Sequence, residues 1–416
     1  MMIGGWLSSL SLLHFFLSIT TITSAFEVPF PQSSAEIRAS ISGGGVVGGS
    51  DSFVATPPTQ TNNDNQPITR QIQLGSGTLA EVISCIPPKK KSSSSPDVLE
   101  NIFSSLFGTD KTSSSNNNNK SNKSQTNKPT LAFLHGSFHA SWCWAEKYMP
   151  YFASLGYPCV AFSLQGTGGT PTLDVGAKKV KIASHVADLD AFLKGLSDDN
   201  TASLGLGLGN DPKIVLIGHS FGGLTIMKWL EQTYGDNNNN PKDINLAGVG
   251  LICSVPPSGN GKMTMRFIRR SLRDAWKITA GFVMKKAITD KAICRDLFFG
   301  GTEDNDNGIS DEDIERYQSY FQRDTVATID LGDLAKQLPS ALADKETGRA
   351  PFVDSLPPVF VIGASEDFIV DREGVDETAR YMGLDEPLIV DSPHDVMIGR
   401  RWKNGADAIL EFVDAL

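Results

Sequence analysis

The chain has 416 residues, 40% hydrophobic and 20% charged, enough for one large core with appendages or two smaller ones. A formal net charge of −10 and an isoelectric point of about 5.2 argue against nucleic acid as a partner. Five cysteines (Cys85, Cys143, Cys159, Cys253 and Cys294) lie scattered without C-x-x-C spacing, and no His or Cys cluster has ligand spacing, so no disulfide frame, metal or cofactor is expected.

Leu10 to Ile19 is an apolar stretch of signal-core length, and Thr23 and Ala25 are small residues before a cleavage point, so residues 1–25 read as a signal peptide. The departure is that no Lys or Arg precedes Arg38. The apolar run is shorter than the roughly 20 residues a span needs and is broken by Ser and Thr, so no stable membrane span is expected in the mature chain. Residues 26–71 are rich in Ser, Thr, Gly and Asn with few charges, as a disordered transit or linker segment is. Gly43, Gly45 and Gly48 match G-x-G-x-x-G by letter, but no strand precedes them and no helix follows, which makes them linker. The Ser24-Ala25-Phe26 junction resembles the two-part plastid leaders of diatoms and related algae, which implies a plastid address. Glu27 and Glu36 depart from the usual shortage of acids there, and secretion is the alternative.

Order is expected from about Ile72, with one domain over 72–416. Thr78 to Ile86 alternates like a hairpin strand. Residues 87–128 form a Ser/Asn/Lys insertion too polar to fold alone, with one helix-spaced island at Val98 to Phe107. Strands are then expected at Leu131 to Leu134, Cys159 to Leu164, Ile214 to Ile217, Leu246 to Ser254, Val359 to Ile362 and Leu388 to Val390. Helices are expected at Trp144 to Ser154, Val180 to Leu196, Leu224 to Thr233 and Gly405 to Leu416. This alternation predicts an α/β fold with a mostly parallel sheet covered on both faces and sites at the strands' C-terminal ends. Between 255 and 357 the alternation stops. Met263 to Met284 and Asp311 to Phe321 look helical, and the stretch reads as a lid inserted after the sixth strand. Its Met263, Met265, Phe267, Phe282, Met284, Phe298 and Phe299 either line an acyl or aromatic pocket or pack the lid's own core.

Ile214 to Gly223 reads I-V-L-I-G-H-S-F-G-G. A short all-apolar run is a strand buried on both faces, and the next five residues match G-x-S-x-G, the turn that lifts a serine above such a strand. Ser220 is therefore the candidate nucleophile. A serine hydroxyl needs a base, a group to hold the base, and donors aimed where negative charge develops. His394, in a loop after a late strand, is the candidate base by elimination among six histidines and by the order serine, acid, histidine. Asp367 follows Val359 to Ile362 by a short turn and is favoured as the acid, with Glu366 and Asp371 as competitors. An N-cap role would explain Asp371. The backbone N–H groups of Phe221 and Ser137 are the candidate oxyanion donors, with Gly136 letting the chain turn.

These motifs resemble the α/β-hydrolase superfamily, in the branch with a His-Gly loop and a Ser-Asp-His triad. H-G-S-F-H-A-S-W-C-W-A-E from His135 is similar to the esterase, methylesterase and hydroxynitrile-lyase group, and closer to plastid-predicted plant hydrolases of unassigned substrate. L-I-C-S-V-P-P-S-G-N from Leu251 and D-F-I-V-D from Asp367 match that subgroup. The resemblance implies a serine hydrolase of a small-molecule ester or acyl substrate, with Ser220, Asp367 and His394 as triad. Acyl transfer, thioester cleavage, lyase chemistry, or small-molecule sensing in a hydrolase pocket are the alternatives on the same fold.

Overall fold

The computed structural model describes residues 66–88, 128–197, 206, 208, 211–235, 244–300 and 309–416. The expected signal peptide, nearly all of the transit segment and the body of the 87–128 insertion lie outside these residues, as does the 237–240 asparagine tract.

Among the described residues ten strands occur in chain order: β1 (Ile68–Gln73), β2 (Leu79–Cys85), β3 (Thr130–Leu134), β4 (Cys159–Phe162), β5 (Lys179–Val180), β6 (Ile214–His219), β7 (Leu246–Ile252), β8 (Thr328–Ile329), β9 (Val359–Ala364) and β10 (Leu388–Val390). Eight form one sheet in the order β1-β2-β4-β3-β6-β7-β9-β10. β1 pairs antiparallel with β2 and β2 with β4, and all other neighbours in that sheet are parallel. The first strand starts at Ile68, four residues before the expected onset of order at Ile72, because its alternation is that of an edge strand with few buried positions.

β3, β4 and β6 are buried along their whole length, so both sheet faces need cover. The helix Ile182–Ser197 carries Val186, Leu189 and Leu193 on its buried stripe, and Phe221–Tyr234 is buried through its first ten residues. The closing helix Trp402–Asp414 packs near Tyr148–Ser154, with Tyr148 and Tyr151 against Trp402, and sets Phe412 on Phe360. The helix expected over Trp144 to Ser154 is two helices, Trp142–Ala145 and Tyr148–Ser154, because Lys147 leaves helical geometry. No helix of the described residues is long and apolar enough to cross a membrane.

β3 connects to β4 on one side of the sheet, while β6 lies on β3's other side. The C-terminal ends of β3 and β6 therefore flank the point where strand order reverses, the usual place for a ligand crevice. Their register sets Leu134 beside Gly218, so the chain leaves both strands at the same level.

Between β7, the sixth strand of the large sheet, and β9 stand the helices Asn260–Arg270, Leu272–Ile278 and Asp311–Arg323 with shorter turns between them. β8 within this insertion pairs in parallel with β5, a two-residue ladder too short for any periodicity to announce. Arg266 grips Asp371 with two 2.6 Å hydrogen bonds, tying the insertion to the helix Arg372–Tyr381.

Candidate active site

Ser220 sits between β6 and the helix Phe221–Tyr234 with φ 53° and ψ −119°, a left-handed conformation costly for a residue with a side chain. Surrounding bonds hold it there: its N–H donates to Ile252 O at 3.0 Å, and its carbonyl accepts from Val255 N at 3.1 Å and Gly223 N at 3.1 Å. Two glycines permit the close approach. A Cβ on Gly222 would stand 2.5 Å from the carbonyl oxygens of Leu134 and His135, and one on Gly136 would stand 2.7 Å from Ser220 Cβ. The His-Gly loop is thus pressed against the serine.

Asp367 and His394 meet. His394 Nδ1 lies 2.8 Å and 3.0 Å from the two carboxylate oxygens, and both side chains are almost wholly buried. One Asp367 oxygen also accepts from the N–H groups of Ile369 at 2.8 Å and Val370 at 2.9 Å, which locks the carboxylate in its turn. The loop of His394 is anchored beside the serine. His219, next to Ser220, donates from Nε2 to the His394 carbonyl at 3.0 Å, and the two rings lie 4.7 Å apart. No hydrogen bond joins Ser220 Oγ to the His394 ring among the described residues. Such bonds are often long without substrate and tighten when it binds.

The competing carboxylates have other partners. Glu366 pairs with Arg401 at the surface. Asp371 caps the helix Arg372–Tyr381 through Gly374 N at 3.0 Å while holding Arg266. Phe221 opens its helix directly after Ser220, so its N–H is among those left free at the helix start. Ser137 lies in the loop after β3. His135 Nδ1 donates to Gly136 O at 2.8 Å, and because C=O and N–H oppose each other across a trans peptide, this fixes the direction of the Ser137 N–H.

The sequence reading missed three residues of this site. Cys253, at φ 45°, closes β7 against the Asp367 carboxylate, and burial followed by that carboxylate pushes its thiol well above the ordinary range. It therefore remains an S–H donor to the acid. His139 and Asp395 form a second buried pair at 2.9 Å. Cys253, Asp367 and His394 lie close enough to share an ion, as do His219, His394 and Asp395. In the first group His394 Nδ1 is bonded to the Asp367 carboxylate, and in the second His219 Nε2 donates to the His394 carbonyl.

Aromatic residues of the insertion reach the site. Phe282 and Phe298 lie 5.1 Å and 5.8 Å from the Phe138 ring, and Phe298 lies 6.4 Å from the His394 ring. Of the other residues expected there, Phe299 stacks on Tyr317, Met263 and Phe267 join the core, and Met265 and Met284 face outward.

A family model described as the alpha/beta hydrolase family matches residues 131–403. Methylesterase 2 and methylesterase 1 of Arabidopsis thaliana are each 29% identical over 102 and 108 residues, which is 24% and 26% of this chain. The chain spans about a third of the length of these curated relatives, 34% and 36%. An epoxide hydrolase structure from Vigna radiata is similar at 17% identity and a TM-score of 0.47, covering 84% of this chain and 99% of its own. An alpha/beta hydrolase fold protein from Burkholderia ambifaria is similar at 12% identity and a TM-score of 0.45, covering 83% and 100%. With the family match spanning well over half of its length, the chain belongs to the alpha/beta hydrolase family.

Proposed function

We propose that the protein is a serine hydrolase of small-molecule carboxylic esters working through an acyl-enzyme on Ser220. The observation that carries this reading is the hydrogen bonding of His394 Nδ1 to both Asp367 oxygens, on a loop anchored beside a serine held at φ 53°. With Nδ1 held, His394 Nε2 is the nitrogen left to take the Ser220 proton as Oγ attacks the ester carbonyl carbon. The N–H groups of Ser137 and Phe221 hold the oxyanion, and the protonated His394 gives its proton to the leaving alcohol. Water then attacks the acyl-enzyme with His394 again as base, which releases the acid and restores the serine.

Further support comes from the surroundings. The aromatic ceiling of Phe138, Phe282 and Phe298 favours an apolar or aromatic acyl group and excludes water, and the 255–357 insertion acts as a lid. The short likeness to methylesterases makes small methyl esters the first substrates to try. The segment ahead of β1 acts as a plastid leader, so a fluorescent fusion to residues 1–71 should enter plastids and Phe26→Ala should divert it.

The test is turnover of p-nitrophenyl acetate and a panel of methyl esters. Ser220→Ala is expected to lower kcat by about 10⁴-fold or more. Full activity in that variant would overturn the reading.

A further inference from the structure

The two histidines of the loop after β3 have opposite surroundings. His135 donates from Nδ1 to Gly136 O and accepts the Leu164 N–H at Nε2, 2.9 Å away. A ring that donates through one nitrogen and accepts through the other is neutral. His139 faces the Ser137 carbonyl oxygen from Nδ1 at 2.8 Å and an Asp395 carboxylate oxygen from Nε2 at 2.9 Å. A carbonyl only accepts, and so does Asp395 when it is ionised; both ring nitrogens then donate, and a ring with two N–H groups is an imidazolium.

The setting suits a cation. The His139 ring is stacked on Trp142 at 5.6 Å and met by Phe321 at 4.9 Å and Phe298 at 5.8 Å. The stacked Trp142 turns its face toward the ring, and an aromatic face attracts a positive charge. The pair also joins three pieces of chain. His139 belongs to the loop that holds Ser137. Asp395 directly follows His394 and donates its own N–H to Phe298 O of the insertion at 3.0 Å.

We propose that His139 is a permanently charged positioning residue, whose imidazolium, anchored by Asp395, holds the Ser137–Phe138 peptide so that the loop's N–H donors face the oxyanion at Ser220. The inference rests on the serine hydrolase reading above. Holding Ser137 O fixes the opposed Phe138 N–H, as His135 fixes that of Ser137. Phe138 is left-handed at φ 69°, and a left-handed residue in a turn lets successive N–H groups converge on an anion.

The charged and titratable groups facing His139 are Asp395, Asp324 of the insertion, His135, and His219 with its ring 6.0 Å away. Burial alone would strip the His139 proton. The Asp395 charge and hydrogen bond, with Ser137 O and Asp324, outweigh it and hold the pKa above the ordinary value. Burial first, then His394 and His139, pushes His219 well below its ordinary value, so the two rings do not both charge.

Ring-nitrogen NMR on the full chain, with labelled histidine, tests the charge. One histidine should keep two N–H signals from about pH 6 to about pH 8, and the pair should vanish in His139→Gln. A single ring N–H at neutral pH would overturn the proposal. Turnover of p-nitrophenyl acetate tests the positioning. His139→Gln and Asp395→Asn should each lower kcat about ten- to a hundredfold, short of outright donor loss, with KM within about twofold. The double variant, two amides in place of the ion pair, should regain thermal stability without regaining kcat. It decides the matter if a single variant fails to fold. Recovery of kcat together with stability, or wild-type kcat in either single variant, would sink the positioning role. A wild type without turnover or fluorophosphonate uptake defeats the serine reading and this proposal together. A wild type that turns over while the variants match it defeats this proposal alone.

Discussion

Three carboxylates follow β9 closely, and their surroundings divide the work among them. Asp367 meets the His394 ring, Glu366 turns out to Arg401, and Asp371 caps a helix while gripping Arg266. The N-cap pattern around Asp371 was legible in the sequence, because a cap depends on residues three apart. The choice between Glu366 and Asp367 was less so, since adjacent turn residues differ only in the direction the backbone gives them. Asp367→Asn should lower kcat by about 10⁴-fold with the fold retained, as for other triads in which the acid sets the imidazole tautomer. Glu366→Gln should leave kcat within about twofold, because its half-exposed carboxylate pairs with Arg401 and not with the His394 ring. Asp371→Asn should keep turnover but lose about 1–3 kcal/mol in chemical denaturation, because Arg266 loses its charged partner. Gly136→Ala should cut kcat about a hundredfold or more, since the added methyl would displace the loop from Ser220. The pair His139–Asp395 spans 256 positions, and nothing local in either residue announces the other.

At the scale of elements, long buried runs and amphipathic stripes were readable, and β10 falls where its apolar run ends on both sides. Short or interrupted elements were not. β5 and β8 have two residues each, below any period, and the break at Lys147 carries neither Gly nor Pro. The helix Ile182–Ser197 carries a cost that the pattern hides. His185 is buried on its apolar face against Phe221, its Nδ1 has no partner among the described residues, and burial pushes its pKa down to about 3. His135 is similarly pushed down to about 4, chiefly by burial. Unfolded, both rings take a proton near pH 6.5, so between there and the folded values the unfolded chain binds more protons. Their contribution to stability is present above about pH 6.5 and is lost as pH falls toward about pH 4. Melting temperatures measured from about pH 7 to about pH 4.5 should therefore fall, and His185→Leu should flatten that limb.

At the scale of the whole molecule, the alternation of strands and helices gave the architecture, and the G-x-S-x-G turn gave the level at which the site stands. What it could not give was contact between the 255–357 insertion and the loop after β3, because aromatic packing of Phe298 and Phe321 around His139 depends on tertiary approach. Through those contacts the insertion packs on Phe138 and His139 of that loop. Phe282→Ala, which widens the ceiling over Phe138 at a residue with no ring contact to His139 itself, should raise kcat/KM for bulky aromatic esters relative to acetate. An unchanged preference across an ester panel would show that the ceiling does not face the acyl group.

The hydroxyl at position 220 is the centre of the account, and its reactivity can be read without knowing the substrate. The folded full-length chain would be treated with a fluorophosphonate probe and the modified peptide mapped by mass spectrometry. A single adduct on Ser220, absent from Ser220→Ala and strongly slowed in His394→Ala, is the expected result. No adduct on the folded wild type, or an adduct that persists unchanged in Ser220→Ala, would contradict it.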